Sequence, residues 1–159
     1  MFRSYGIKVD DKKFKKELGE FSDKMPTVAR RMMSKVSQGI RKTTRNRNLK
    51  GGLLKKDTGN LYKSLSYKAK KDFTAYITAG AYYATTHEKG ATIEAKEGKY
   101  LTFQIGGEWK KVKSVTVPQS QFLWPVVDEY FTTGKAEEIM DTVLQQQLQK
   151  FFEKEQGLR

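Results

Sequence analysis

Tyr100-Leu101-Thr102-Phe103-Gln104-Ile105-Gly106-Gly107-Glu108-Trp109-Lys110-Lys111-Val112-Lys113-Ser114-Val115-Thr116-Val117 is the stretch that decides the fold class. Residues 100–105 are rich in aromatic and β-branched side chains, which suit strands. Gly106-Gly107 is a strong turn signal, and 109–117 runs back. Pro118 ends the run, because proline cannot donate to a ladder. Thr92-Ile93-Glu94-Ala95 is a further short strand just upstream. Residues 91–117 are therefore expected to be compact β structure, projecting as a hairpin region.

A period of two also governs residues 66–80. Tyr67, Ala69 and Lys71 alternate with Lys68 and Lys70. Ala75, Ile77 and Ala79 alternate with Tyr76, Thr78 and Gly80, and Asp72-Phe73 turns between the two runs. This predicts an antiparallel hairpin. Tyr82 to His87 is expected to form a helical turn that packs its aromatics on the sheet. Residues 57–65 open a short helix, with Asp57 or Thr58 as N-cap and Leu61 and Leu65 buried together at i and i+4. Residues 50–56 read as a mobile loop. Its two glycines lack the Gly-Lys-Ser or Gly-Lys-Thr ending of a phosphate-cradling loop.

Helical periodicity takes over toward both ends. Tyr5 to Val9 is a short strand candidate, after which Asp10 or Asp11 can cap a helix. Phe14, Leu18, Phe21, Met25, Val28, Met32, Val36 and Ile40 recur at spacings of three and four, one apolar stripe reaching about Thr44. Pro26 interrupts it, predicting a kink or two helices meeting there. At the other end, Pro125 suits the first turn of a helix running to about Phe131. Thr132-Thr133-Gly134 breaks that helix. Glu137 and Glu138 favour the start of a last one, with Ile139, Val143, Leu144, Leu148, Phe151 and Phe152 as its buried stripe and Gly157 as a stop. The expected class is α+β: a long N-terminal helix, a small mostly antiparallel sheet of short strands, and a helical C-terminal tail. All of 1–159 reads as one domain, with a helical arm over 1–50, an α+β core over 57–127 and a C-terminal helix over 128–159.

The totals narrow the function classes. The chain of 159 residues has no cysteine, so disulfides and thiolate metal sites are excluded. No apolar run approaches the ~18 residues of a spanning helix. The N-terminus lacks a signal-peptide core, so a soluble protein with no membrane role is expected. Hydrophobic content is 37% and charged content 31%. Such a balance suits a small domain with much surface, or one completed by partner subunits.

Chemistry finds little purchase. His87 is the sole histidine. His87-Glu88 begins like a zinc-protease helix, but the second histidine that motif needs would stand at Ala91. No nucleophile elbow or carboxylate spacing supports a hydrolase. No enzyme activity, cofactor or metal is expected. His87 is read as a polar residue fixing a turn, and Gly90 as a backbone shape other residues resist.

The net charge of +13 is unevenly spread. Residues 24–56 hold 11 Lys or Arg and no acid, whereas residues 127–159 hold 7 acidic and 4 basic residues. Arg30, Arg31, Lys35, Arg41, Lys42, Arg45 and Arg47 lie off the apolar stripe. They are either a solvated face or a contact for DNA or an acidic partner. A basic nucleic-acid-binding accessory protein is thus one reading, although no helix-turn-helix, zinc finger or RNP motif accompanies the charge.

A second reading comes from motif order. Asp57-Thr58-Gly59-x-Leu61-x-x-Ser64-Leu65 is followed by Tyr83-Ala84 and His87-Glu88-x-Gly90. Ile93-x-Ala95-Lys96-x-x-x-Tyr100-Leu101-x-Phe103 and Val115-x-Val117-Pro118-x-x-x-Phe122-Leu123 complete the series. This order resembles the minor tail or neck proteins of tailed phages, the tail-completion and virion-morphogenesis proteins of Mu-like and lambda-like phages. It covers about residues 57–127. Ser120 stands where that family often has arginine, and Gln121 where it has proline. The resemblance implies a structural virion protein without a reaction of its own. It would form a homo-oligomeric ring, six-fold or twelve-fold, between head and tail. Its neighbours would be the tail terminator or tail tube and the head connector or head-closure protein, with DNA passing through the lumen. Its place would be the virion neck or tail, and the host cytoplasm during assembly. His87, Glu88, Gly90, Trp109, Pro118, Phe122 and Leu123 are the expected subunit contacts, with Phe122-Leu123 also anchoring the return to the core.

Overall fold

The structure is a computed structural model and describes residues 11–54 and 59–155. The candidate strand at Tyr5–Val9, the caps Asp57 and Thr58, and the stop at Gly157 lie outside those residues.

Helix α1 (Asp11–Thr43) is one helix of 33 residues and runs through Pro26. Two helices do not meet there. Pro26 removes only the donor to the Ser22 carbonyl, and packing spans the gap. Phe21, before Pro26, meets the Phe151 ring edge-on at 5.6 Å. Val28, after it, packs with Val143. Val28, Met32, Val36 and Ile40 are buried, as the stripe predicts, but Leu18 is exposed. α1 then widens into a π-turn, Thr44–Asn48, with the Leu49 N–H donating to the Thr44 carbonyl at 3.2 Å.

A short helix α2 (Asn60–Ser64) starts from Gly59, whose φ of 74° is in the left-handed region. It leads directly into β1 (Leu65–Ala69), paired antiparallel with β2 (Ala75–Ala79). Asp72 Oδ1 accepts from the Thr74 N–H at 3.1 Å and closes the turn. Leu65 is buried, and Tyr67, Ala69, Ala75, Ile77 and Ala79 form the partly buried face. α3 (Ala84–Lys89) follows. Tyr83 packs into the core as expected, but Tyr82 is 95% exposed and does not cover the sheet.

Residues 91–117 form a two-stranded ribbon. β3 (Ala91–Glu94) pairs with β6 (Ser114–Val117), and β4 (Leu101–Ile105) pairs with β5 (Glu108–Val112). The return strand, read above as one run, is thus divided at Lys113 between two ladders. Residues 95–100 lie opposite that single residue, with the Ala95 N–H donating to the Lys113 carbonyl. Gly106 and Gly107, both at positive φ, close the tip, which suits the turn twist that hairpins favour. Among the described residues, six strands make three two-stranded ladders rather than one small sheet. The class is nonetheless α+β.

α4 (Trp124–Thr132) and α5 (Lys135–Glu155) complete the described residues. α5 lies antiparallel to α1, since Phe151 meets Phe21 while Ala136 packs with Val36 and Ile40. Phe152, expected in the buried stripe of α5, is half exposed, because α1 covers only the Phe151 side. Val36, Ile40, Val126, Tyr130 and Ala136 make one core cluster; Leu49, Leu61, Leu65, Ala84 and Phe122 make a second. Ile77 and Leu123 touch both and join them.

Candidate interaction surface

No residue from 91 to 121 is buried. The ribbon therefore has no core of its own, and its stability rests on ladder hydrogen bonds and its attachment. On β4 the side chains of Leu101, Phe103 and Ile105 share one face, because successive strand residues alternate. The register puts Val112 opposite Leu101 on that same face. Ile105 is 61% exposed. On the opposite face, Trp109 is 72% exposed beside Gln104. Lys110, opposite Phe103, and Glu108, opposite Ile105, share the face of the apolar β4 row and pair with each other at 2.9 Å, so that row runs beside an ion pair on β5. Two strands alone are marginal in water.

The root of the ribbon is held firmly. The Glu88 carboxylate accepts from the backbone N–H of Leu123 at 3.0 Å and of Trp124 at 2.9 Å. It thereby caps α4 from another helix, where the orphan N–H groups and the helix dipole both favour an anion. The His87 carbonyl accepts from the Ser120 N–H at 2.7 Å, and the Asn48 side-chain amide donates to the Phe122 carbonyl at 2.6 Å. Gly90 has φ 71° and ψ 158°, a region essentially restricted to glycine. A Cβ there would lie 3.0 Å from the Gln119 nitrogen. Gln121 has φ 45°, a value closed to proline, so the glutamine at this position has a backbone reason. Glu88→Ala is expected to lower stability by about 1–3 kcal/mol in urea titrations. Lys89→Ala, on an exposed neighbour, should stay within about 0.5 kcal/mol.

The seven expected subunit contacts divide. Trp109 is exposed near the ribbon tip, and Pro118 is exposed at its base. Glu88 and Gly90 build the root, and Leu123 is half-buried between the two core clusters. His87 is half-buried, its ring edge-on to Tyr83 at 5.7 Å. Phe122 is 1% exposed and has no surface to offer a neighbour; hydrophobic burial makes it a core residue. The apolar row Leu101, Phe103 and Ile105 was missed, although its alternation with Thr102 and Gln104 is present in the sequence.

The seven basic residues also divide. Arg45 donates to the Lys63 and Leu65 carbonyls and lies 5.0 Å from the Tyr62 ring centroid. Arg41 lies over the Tyr67 ring at 5.0 Å. Arg31 donates to Gln147. Arg47 pairs with Glu129 at 2.5 Å, and Lys135 pairs with the same carboxylate at 2.6 Å. Arg45 and Arg47 thus fasten the end of α1 to β1 and α4, and their removal would disturb the fold itself. Arg30, Lys35 and Lys42 remain exposed.

The Lys135 and Arg47 hydrogen bonds pull the Glu129 pKa down from 4.5 to about 2. A depressed folded-state pKa contributes stability above the ordinary carboxylate value and loses it as pH falls toward the folded one. Melting temperature should therefore fall between about pH 4.5 and 2 through this group. In Glu129→Gln that part of the decline should flatten, with the difference between the two proteins shrinking as the pH drops.

Among the described residues, no three histidine, aspartate or glutamate side chains converge as metal ligands. No described helix is long and apolar enough to cross a membrane. No family model, no curated protein and no solved structure matches the chain.

Proposed function

We propose that the chain is a structural component of a tailed-phage particle, a tail-completion or neck protein without catalytic activity. It assembles as a ring that joins the tail to the head connector and leaves a passage for DNA. The observation that carries this reading is the ribbon at 91–117, which exposes the apolar side chains of Ile105 and Trp109 and has no buried residue among the described residues. Copies packed head to tail would cover it, since a ring uses different patches on the two sides of each subunit. The order of motifs through 57–127 supports the same reading. The proposed partners are the chain itself, the tail terminator or tube, and the head-closure protein. It would act at the virion neck, after assembly in the host cytoplasm.

Native mass spectrometry of the purified protein, with electron microscopy, tests the ring: a closed oligomer is expected. A chain that stays monomeric at high concentration and is missing from particles by proteomics sinks the proposal.

A further inference from the structure

Away from the ribbon, a cleft of about 250 Å³ opens between the first half of α1 and the last turns of α5. Lys24 and Arg31 line it from α1, and Lys150 and Lys154 from α5. Among the described residues no carboxylate lines the cleft, and none of the four cations makes an ion pair. Glu153, beside Lys154 in sequence, is held instead by the Gln149 amide at 2.9 Å.

Two of the four charges are already positioned. The Lys24 ammonium sits 4.3 Å from the centroid of the Phe151 ring, and Arg31 donates to Gln147. Holding long cationic side chains in place lowers the entropy lost when an anion binds. Four like charges facing one cleft are mutually unfavourable, and an anion relieves that repulsion. Lys24 and Arg31 stand seven residues apart on the helix, about 10 Å at ~1.5 Å per residue. That length corresponds to roughly three nucleotides at the ~3.4 Å rise of one strand.

We infer that this cleft binds the phosphodiester backbone of nucleic acid, through Lys24, Arg31, Lys150 and Lys154. Three of these four are absent from the basic residues singled out in the sequence, and only Arg31 is common to both sets. The reason is tertiary: the chain separates Lys24 and Lys150 by most of its length, and the antiparallel helix pair brings them together. The inference does not rest on the ring, since a monomer presents the same cleft.

Fluorescence anisotropy with a labelled mixed-sequence oligonucleotide, single- or double-stranded, tests it across a salt series. Lys150→Gln/Lys154→Gln is compared with Lys68→Gln/Lys71→Gln, which removes the same charge from exposed positions on the β1–β2 hairpin. All four lysines are exposed, and circular dichroism melts check that both variants fold. The cleft pair should weaken binding about tenfold or more at physiological salt and reduce the salt slope by about 2. The hairpin pair should change affinity by less than about threefold. Equal weakening by the two pairs overturns the inference, as does no binding by the wild type. Displacement of the oligonucleotide by poly-glutamate at equal charge would also overturn it, assigning the cleft to an acidic protein surface.

Discussion

Phe122→Ala is expected to cost about 3–5 kcal/mol, the range for truncating a buried aromatic. Against a total stability of about 5–15 kcal/mol, much of the protein would then be unfolded or close to it. Phe122 is 1% exposed and packs in the cluster of Leu49, Leu61, Leu65 and Ala84. These residues come from the end of the π-turn, α2, β1 and α3, so one ring holds four consecutive parts of the chain. Its backbone carbonyl is also the acceptor for Asn48. A large fall in the urea midpoint, with little change in its slope, is the measurement. Phe122→Leu keeps most of the volume and should lose much less. A variant Phe122→Ala with wild-type stability would mean that this cluster does not hold the fold.

Ile105→Ser/Trp109→Ser is expected to do the opposite. Both side chains are largely exposed at the ribbon end, so the melting temperature of the free subunit should barely move. Assembly should fail, because apolar surface on both faces of the ribbon tip would be replaced by hydroxyls that keep their water. Native mass spectrometry should show monomers where the wild type shows the closed oligomer. If the variant assembles normally, the ribbon is not the contact. The paired results separate a core role from a surface role within a single stretch of the chain.

Several elements were legible because their signals are local. The periodicity of two over 66–80 and the glycine pair at 106–107 predict hairpins that the structure contains. The stripe from Val28 to Ile40 predicts a buried helix face, and these positions are buried. Leu61 and Leu65 bury together as their spacing requires. Of the two outcomes read at Pro26, two helices meeting is excluded: proline weakens a helix locally, whereas the flanking contacts of α1 with α5 are remote in sequence.

The candidate surfaces were less legible. Exposed and buried apolar residues look alike in a sequence. Phe122 and Trp109 were both expected at subunit contacts, yet one is enclosed and the other stands in water. Basic residues divide in the same way. Arg45 and Arg47 share a run with Lys42, but carbonyls of Lys63 and Leu65 and the carboxylate of Glu129 claim the first two.

By itself, the sequence determined the α+β class and the order of most helices and hairpins, because periodicity and turns act over a few residues. His87-Glu88-x-Gly90 reads as a turn in the sequence, whereas His87 and Glu88 lie at the end of α3 and Gly90 is its C-cap. Only the tertiary structure decided what that helix end does: Glu88 reaches across 35 residues to cap α4, and Gly90 lets the backbone approach Gln119. It likewise decided that 91–117 stands as a ribbon with no buried residue among the described residues, and that four cations from distant parts of the chain share one cleft. Contacts between distant residues depend on how elements pack against one another, and no local pattern along the chain carries that information.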